Sequence, residues 1–220
     1  LWLMLGERDQ ASAAAQRAAS LSPNLGRTQI TLGFAALAEF QNDEARAAFE
    51  RAISLNSADP LPHFGLGLAK ISDGELDQGR RDIEVAVGLD SSNALLRSYL
   101  GKAYFEEEKA GLDDEQYSIA KQLDPLDPTA YLYSAISKQS ENRPVEALRD
   151  LEASIERNDN RAVYRGRLLL DQDRAARGTS LARVYKDLGF SQLGINQSSQ
   201  SLALDPVSYT HLTLPTSFLV

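Results

Sequence analysis

The pair Leu-Gly returns at Leu32-Gly33, Leu66-Gly67 and Leu100-Gly101, always 34 residues apart. Two further columns keep the same step: Phe49, Ile83, Tyr117 and Leu151, then Ala52, Ala86, Ala120 and Ser154. Columns that stay in register over several copies leave a chain few options. It must be a series of similar units, each one supersecondary element unable to bury its apolar side without a neighbour. The spacing inside a unit says which element. A small residue is followed by a bulky one four places on, and by Ala or Ser three places after that, as in Ala45/Phe49/Ala52 and Ala147/Leu151/Ser154. Intervals of three and four share one helical face. Alternating small and large side chains let neighbouring helices interdigitate. Turns close the units at Asn56-Ser57-Ala58-Asp59-Pro60, Asp90-Ser91-Ser92 and Asp124-Pro125-Leu126-Asp127-Pro128. Their Asp, Ser and Pro stop one helix and start the next.

This pattern resembles the tetratricopeptide repeat family, over roughly residues 1–206. A half unit opens the chain, with Trp2 at the aromatic place, Gly6 at the inter-helix turn, then Ala11, Ala15, Ala18 and Pro23. Full units follow at about 26–59, 60–93, 94–127 and 128–159. The family's tryptophan place holds Gln29, His63, Arg97 and Tyr131, and Ala135 stands where the glycine belongs in the fifth unit. The resemblance implies an all-α fold, a right-handed superhelical solenoid of antiparallel helix pairs. A sixth unit carries its columns at Ala182, Tyr185, Gly189, Gly194, Ser198, Ser201 and Pro206. Ser154 to Ser201 spans 47 residues, so an insertion occupies about 160–174, read as a short hairpin or a helical extension, and a further repeat occupies 175–206. The segment 159–188 is similar to part of large bacterial envelope proteins, in which repeats precede an outer-membrane barrel. That similarity implies a periplasmic or envelope setting, with the cytoplasm as the alternative. After Pro206 the helical period stops. Residues 207–220 resemble the translated read-through of a sequencing adapter, which implies a tail foreign to the protein.

Composition narrows the function. The formal net charge is −8, opposite to the basic face that releases counterions from nucleic acid. The absence of cysteine removes disulfides and thiolate metal sites. No apolar run approaches the roughly 20 residues of a membrane-spanning helix. His63 falls at a helix start in the tryptophan column, and no second group converges on it for acid–base or triad chemistry. The runs Glu106-Glu107-Glu108 and Asp113-Asp114-Glu115 read as solvated turns. We therefore expect no enzyme, no cofactor and no metal.

The remaining expectation is a scaffold for another protein. In the family the first helix of each unit lines a concave surface. Carried onto this chain, the resemblance places Ile30, Phe34, Leu37, Phe64, Leu68, Lys102, Phe105, Ile136 and Gln139 in a groove for a peptide or helical segment. The alternative is a non-catalytic arm of a larger enzyme or of an envelope or export assembly. A second candidate surface comes from charge: Arg161, Arg165, Arg167, Arg174 and Arg177 crowd one stretch of an acidic chain. Their planar donors suit the carboxylates of an acidic partner.

Overall fold

A computed structural model describes residue 2 and residues 7–109, 111–157 and 170–204, with the backbone alone at 170–176 and 204. Two compact units divide the chain at residues 109 and 110. The first contains α1 (Arg8–Leu21), α2 (Gly26–Ala38), α3 (Asn42–Leu55), α4 (Pro60–Ser72), α5 (Leu76–Leu89) and α6 (Ala94–Glu106). The second contains α7 (Leu112–Leu123), α8 (Pro128–Ser140), α9 (Pro144–Glu156), α10 (Leu170–Asp187) and α11 (Ser191–Leu204). Every regular element among the described residues is a helix. α10 begins at Leu170, inside the expected insertion. Residues 160–169, with the hairpin or helical extension expected there, and the tail 207–220 lie outside the described residues.

The turn residues act as expected from their chemistry. Asp59, Asn93 and Asp127 accept hydrogen bonds through their side chains from the backbone N–H groups of Leu61, Leu96 and Thr129. Each satisfies a donor that the first helical turn leaves without a partner. Pro60 and Pro128 occupy the first turn, where their missing N–H is not needed.

Phe49 shows how the columns lock together in the first unit. Its side chain is completely buried. A Cβ added at Gly33 would lie 2.6 Å from its ring, and one at Gly65 would meet the same ring from the next repeat. The bulky knob of α3 thus lies between glycines of α2 and α4. Ile83 repeats the role in α5, completely buried among Phe64, Val87, Leu96 and Leu100. In the second unit Leu151 of α9 packs with Ala135, Ala147, Leu181 and Val184.

A column marked in the sequence only by Gly6, Gly74 and Gly189 ends the first helix of each pair. Phe40, Gly74, Glu108, Asn142 and Gly189 all have positive φ, between 54° and 85°. The next residue in each case donates its backbone N–H five places back, as Gln41 does to Ala36 and Phe190 to Tyr185. This is the left-handed helix cap that normally calls for glycine. Asn142 to Gly189 repeats the 47-residue step, which places the extra residues after the turn at Asn142.

Candidate protein-binding surface

The first helices of the first unit are joined by rings. Phe34 of α2 meets Phe49 edge-on at 5.0 Å and Phe64 of α4 at 6.4 Å, and Phe64 meets Tyr99 of α6 edge-on at 5.1 Å. This ladder corrects part of the expected groove. Ile30, Leu37 and Phe64 are buried at 7%, 5% and 6% exposure, so they are core and not contact surface. Phe34 and Leu68 are half-buried and pack on both clusters of the first unit. Small residues such as Gly33, Gly65 and Ala69 bring the helices so close that inward positions are consumed by packing between repeats.

Accessible apolar side chains lie beside those positions. Leu61 and Leu95, one repeat step apart on α4 and α6, are 43% and 41% exposed. Lys102 and Phe105 on α6 are half-buried. In the second unit Ile136 on α8 is 38% exposed. Gln139 is half-buried and donates its side-chain amide to Asp187 of α10 at 2.8 Å, an engagement between repeats.

The arginine surface is reduced further. Arg161, Arg165 and Arg167 lie outside the described residues, and only the backbone of Arg174 is described. Arg177 is 1% exposed and its Nε donates to Ser154 Oγ at 2.9 Å, so it is a buried tie between α10 and α9 and no part of a docking face. Small Ser154 leaves the space that a long side chain fills.

Several other charged groups are held in ion pairs and hydrogen bonds within each unit. Arg80, 7% exposed, bonds Asp77, Glu84 and Glu107. Tyr104 donates to Glu84 at 2.7 Å, and burial together with that carboxylate pushes its phenol up to about 12. In the second unit Asp150 accepts from Ser134, Lys138 and Lys121. Burial pushes its carboxyl up, but these three donors outweigh burial and hold it below the usual range. Burial pulls the Lys121 ammonium down, and Asp150 offsets only part of that.

The tryptophan column also has a use in this chain. Gln29, His63, Arg97 and Tyr131 each reach the backbone carbonyl six residues earlier, at Pro23, Ser57, Ser91 and Pro125, over 2.9–3.4 Å. What the position supplies here is a side-chain N–H or O–H donor for the turn between repeats. His63 is thereby a structural residue.

Comparisons with known proteins agree with this architecture. Residues 26–59 match the model of the tetratricopeptide repeat. No curated protein matches the sequence. Among solved structures, the hetero-tetramer Cut9-Hcn1 of APC/C superposes with TM-score 0.81 at 17% identity over 97% of this chain. This chain spans 42% of that one's length. The protein TTC0263 of Thermus thermophilus superposes with TM-score 0.68 at 18% identity, over 86% of this chain and 100% of that one. YrrB, described as having an unusual peptide-binding site, superposes with TM-score 0.56 at 16% identity, over 91% of this chain and 97% of that one. A 34-residue column pattern, paired helices that bury its knobs, and a family model over one full copy lead to one conclusion: the chain has an all-α fold like that of tetratricopeptide repeats, with residues 26–59 as one matched copy.

Proposed function

We propose that the first unit binds an extended or helical segment of another protein across its first helices, with Leu61 and Leu95 as anchors and Phe105 beside them. The observation that carries this is the exposure of Leu61 and Leu95, one repeat step apart, on helices whose other apolar side chains, Phe105 apart, are taken up by packing. Two leucines repeated at the interval of the units form a row with the periodicity needed to read a linear ligand, and clustered exposed apolar side chains mark interaction surfaces. Tetratricopeptide-type proteins commonly serve as scaffolds, and the described peptide site of YrrB supports the same reading. The described helices include none long and apolar enough to cross a membrane.

The test is a displayed-peptide selection on the whole chain, followed by calorimetric titration of the selected peptides against wild type and the double variant Leu61→Glu/Leu95→Glu. The expected result is an unchanged melting temperature with affinity reduced at least about tenfold, which corresponds to about 1.4 kcal/mol. Equal binding to both proteins rejects this surface.

A further inference from the structure

α11 differs from the other second helices in one respect that concerns its surroundings. In α3, α5 and α9, apolar residues flanking the knob seat the following repeat. Ile53 packs against the cluster that contains Leu66 and Ala69, Val87 is buried with Leu96 and Leu100, and Leu148 and Ile155 pack against the cluster that contains Leu181 and Val184. The 47-residue step carries Leu148 and Ile155 onto Ile195 and Leu202. These two are 54% and 44% exposed. In α11 these positions present an apolar seat of the kind that α9 uses for its inter-repeat contact.

We propose that this seat is occupied by the same seat of a second copy, in a two-fold dimer of antiparallel α11 helices. Three features of α11 select a second copy. First, none of its fourteen residues carries a charge, whereas α3 has Asp43, Glu44, Arg46, Glu50 and Arg51, and α9 has Glu146, Arg149, Asp150, Glu152 and Glu156. In a chain of net charge −8, this face can meet itself without juxtaposing like charges. Second, the knob position that holds Phe49, Ile83, Tyr117 and Leu151 elsewhere is Ser198 here, next to exposed Ser199. Small residues at a crossing let helix axes approach to about 8 Å. Third, the face is symmetric about that notch. Ile195 and Leu202 are two turns apart on one side of the helix, and Ser198 and Ser199 lie midway. A two-fold axis at the serines places Ile195 against Leu202 of the other copy, twice, as an isologous contact requires. A parallel arrangement would set each residue on itself and lose this match of a β-branched side chain with a leucine.

The experiment uses the full chain in sedimentation equilibrium from low micromolar to hundreds of micromolar. The wild type dimerises. Ile195→Glu raises the dimer dissociation constant at least about tenfold at an unchanged melting temperature, and Ile195→Glu/Leu202→Lys restores the dimer through two cross-pairs. Because the protein has no cysteine, Ser199→Cys forms a disulfide-linked dimer on mild oxidation, and Gln200→Cys, on the far side of the helix, does not. A monomeric wild type across the range overturns the proposal. So does a dimer indifferent to Ile195→Glu, or one that the double variant fails to restore.

Discussion

At the scale of single residues, the second-helix knobs and the glycines they fill carry the packing. Phe49→Ala removes a completely buried ring from between Gly33 and Gly65 and should cost about 3–5 kcal/mol, read as a lowered denaturation midpoint. Phe34 is one of the groove residues that the resemblance implies. Its ring lies 5.0 Å from that of Phe49, so Phe34→Ala should lose at least the edge-to-face term of about 0.5–1.5 kcal/mol. A pair of glycine substitutions separates packing from helix propensity. Gly88→Ala in α5 meets nothing within 4 Å and should stabilise by about 0.5–1 kcal/mol. Gly65→Ala gains the same propensity but drives a methyl group into the Phe49 ring, so its sign should be reversed in the same denaturation series. The titration of Asp150 gives a pH test. Its folded pKa is depressed, so its contribution is present above the unfolded value of about 3.9 and is lost as pH falls through the lower folded value. The stability gap between wild type and Asp150→Asn should therefore be widest near neutrality and close in acid, measured by denaturation at a series of pH values.

At the scale of elements, the turn inside each helix pair is more uniform than its sequence. Five residues share the left-handed conformation, yet only Gly74, Asn142 and Gly189 are types that adopt it readily. Phe40 sits there with φ 59° and is 67% exposed, so its ring contributes little packing to offset the backbone strain. Phe40→Gly should raise stability by about 1 kcal/mol, checked as an upward shift of the denaturation midpoint; a loss of stability would show that the ring makes contacts that matter more than the strain. The sequence did carry a signal here, since Gly6, Gly74 and Gly189 fall in this column. Phe40 and Glu108 obscured it, because the hydrogen bond five residues back holds the conformation whichever side chain is present. The tryptophan column shows the converse. Gln29, His63, Arg97 and Tyr131 look unrelated as letters, and their shared role as donors to the turn appears only with the backbone in place.

At the scale of the whole molecule, stability in a repeat protein is a sum of local terms and nearest-neighbour contacts. Damage should therefore stay local. In Phe49→Ala, amide hydrogen exchange should lose protection across α2 to α4, with that of α8 to α10 little changed. Truncation after Pro206 tests the reading of the tail as foreign. Removing residues 207–220 should leave the melting temperature unchanged, and a fall of several degrees would correspond to roughly 1 kcal/mol or more and reject that reading.

The 34-residue step alone determined that this chain is a row of paired helices, which faces of the second helices are buried, and where turns fall. Those features follow from residue type and interval, which any neighbour of the same pattern satisfies. Only the tertiary structure decided which first-helix side chains remain accessible. That depends on how closely helices approach, and the approach is set by Gly33 and Gly65 against the Phe49 ring. It is why Ile30, Leu37 and Phe64 are core while Leu61 and Leu95 reach solvent. In the second unit, likewise, only the fold shows that Arg177, one of five arginines alike in sequence, is buried against Ser154, whose small side chain leaves room for it.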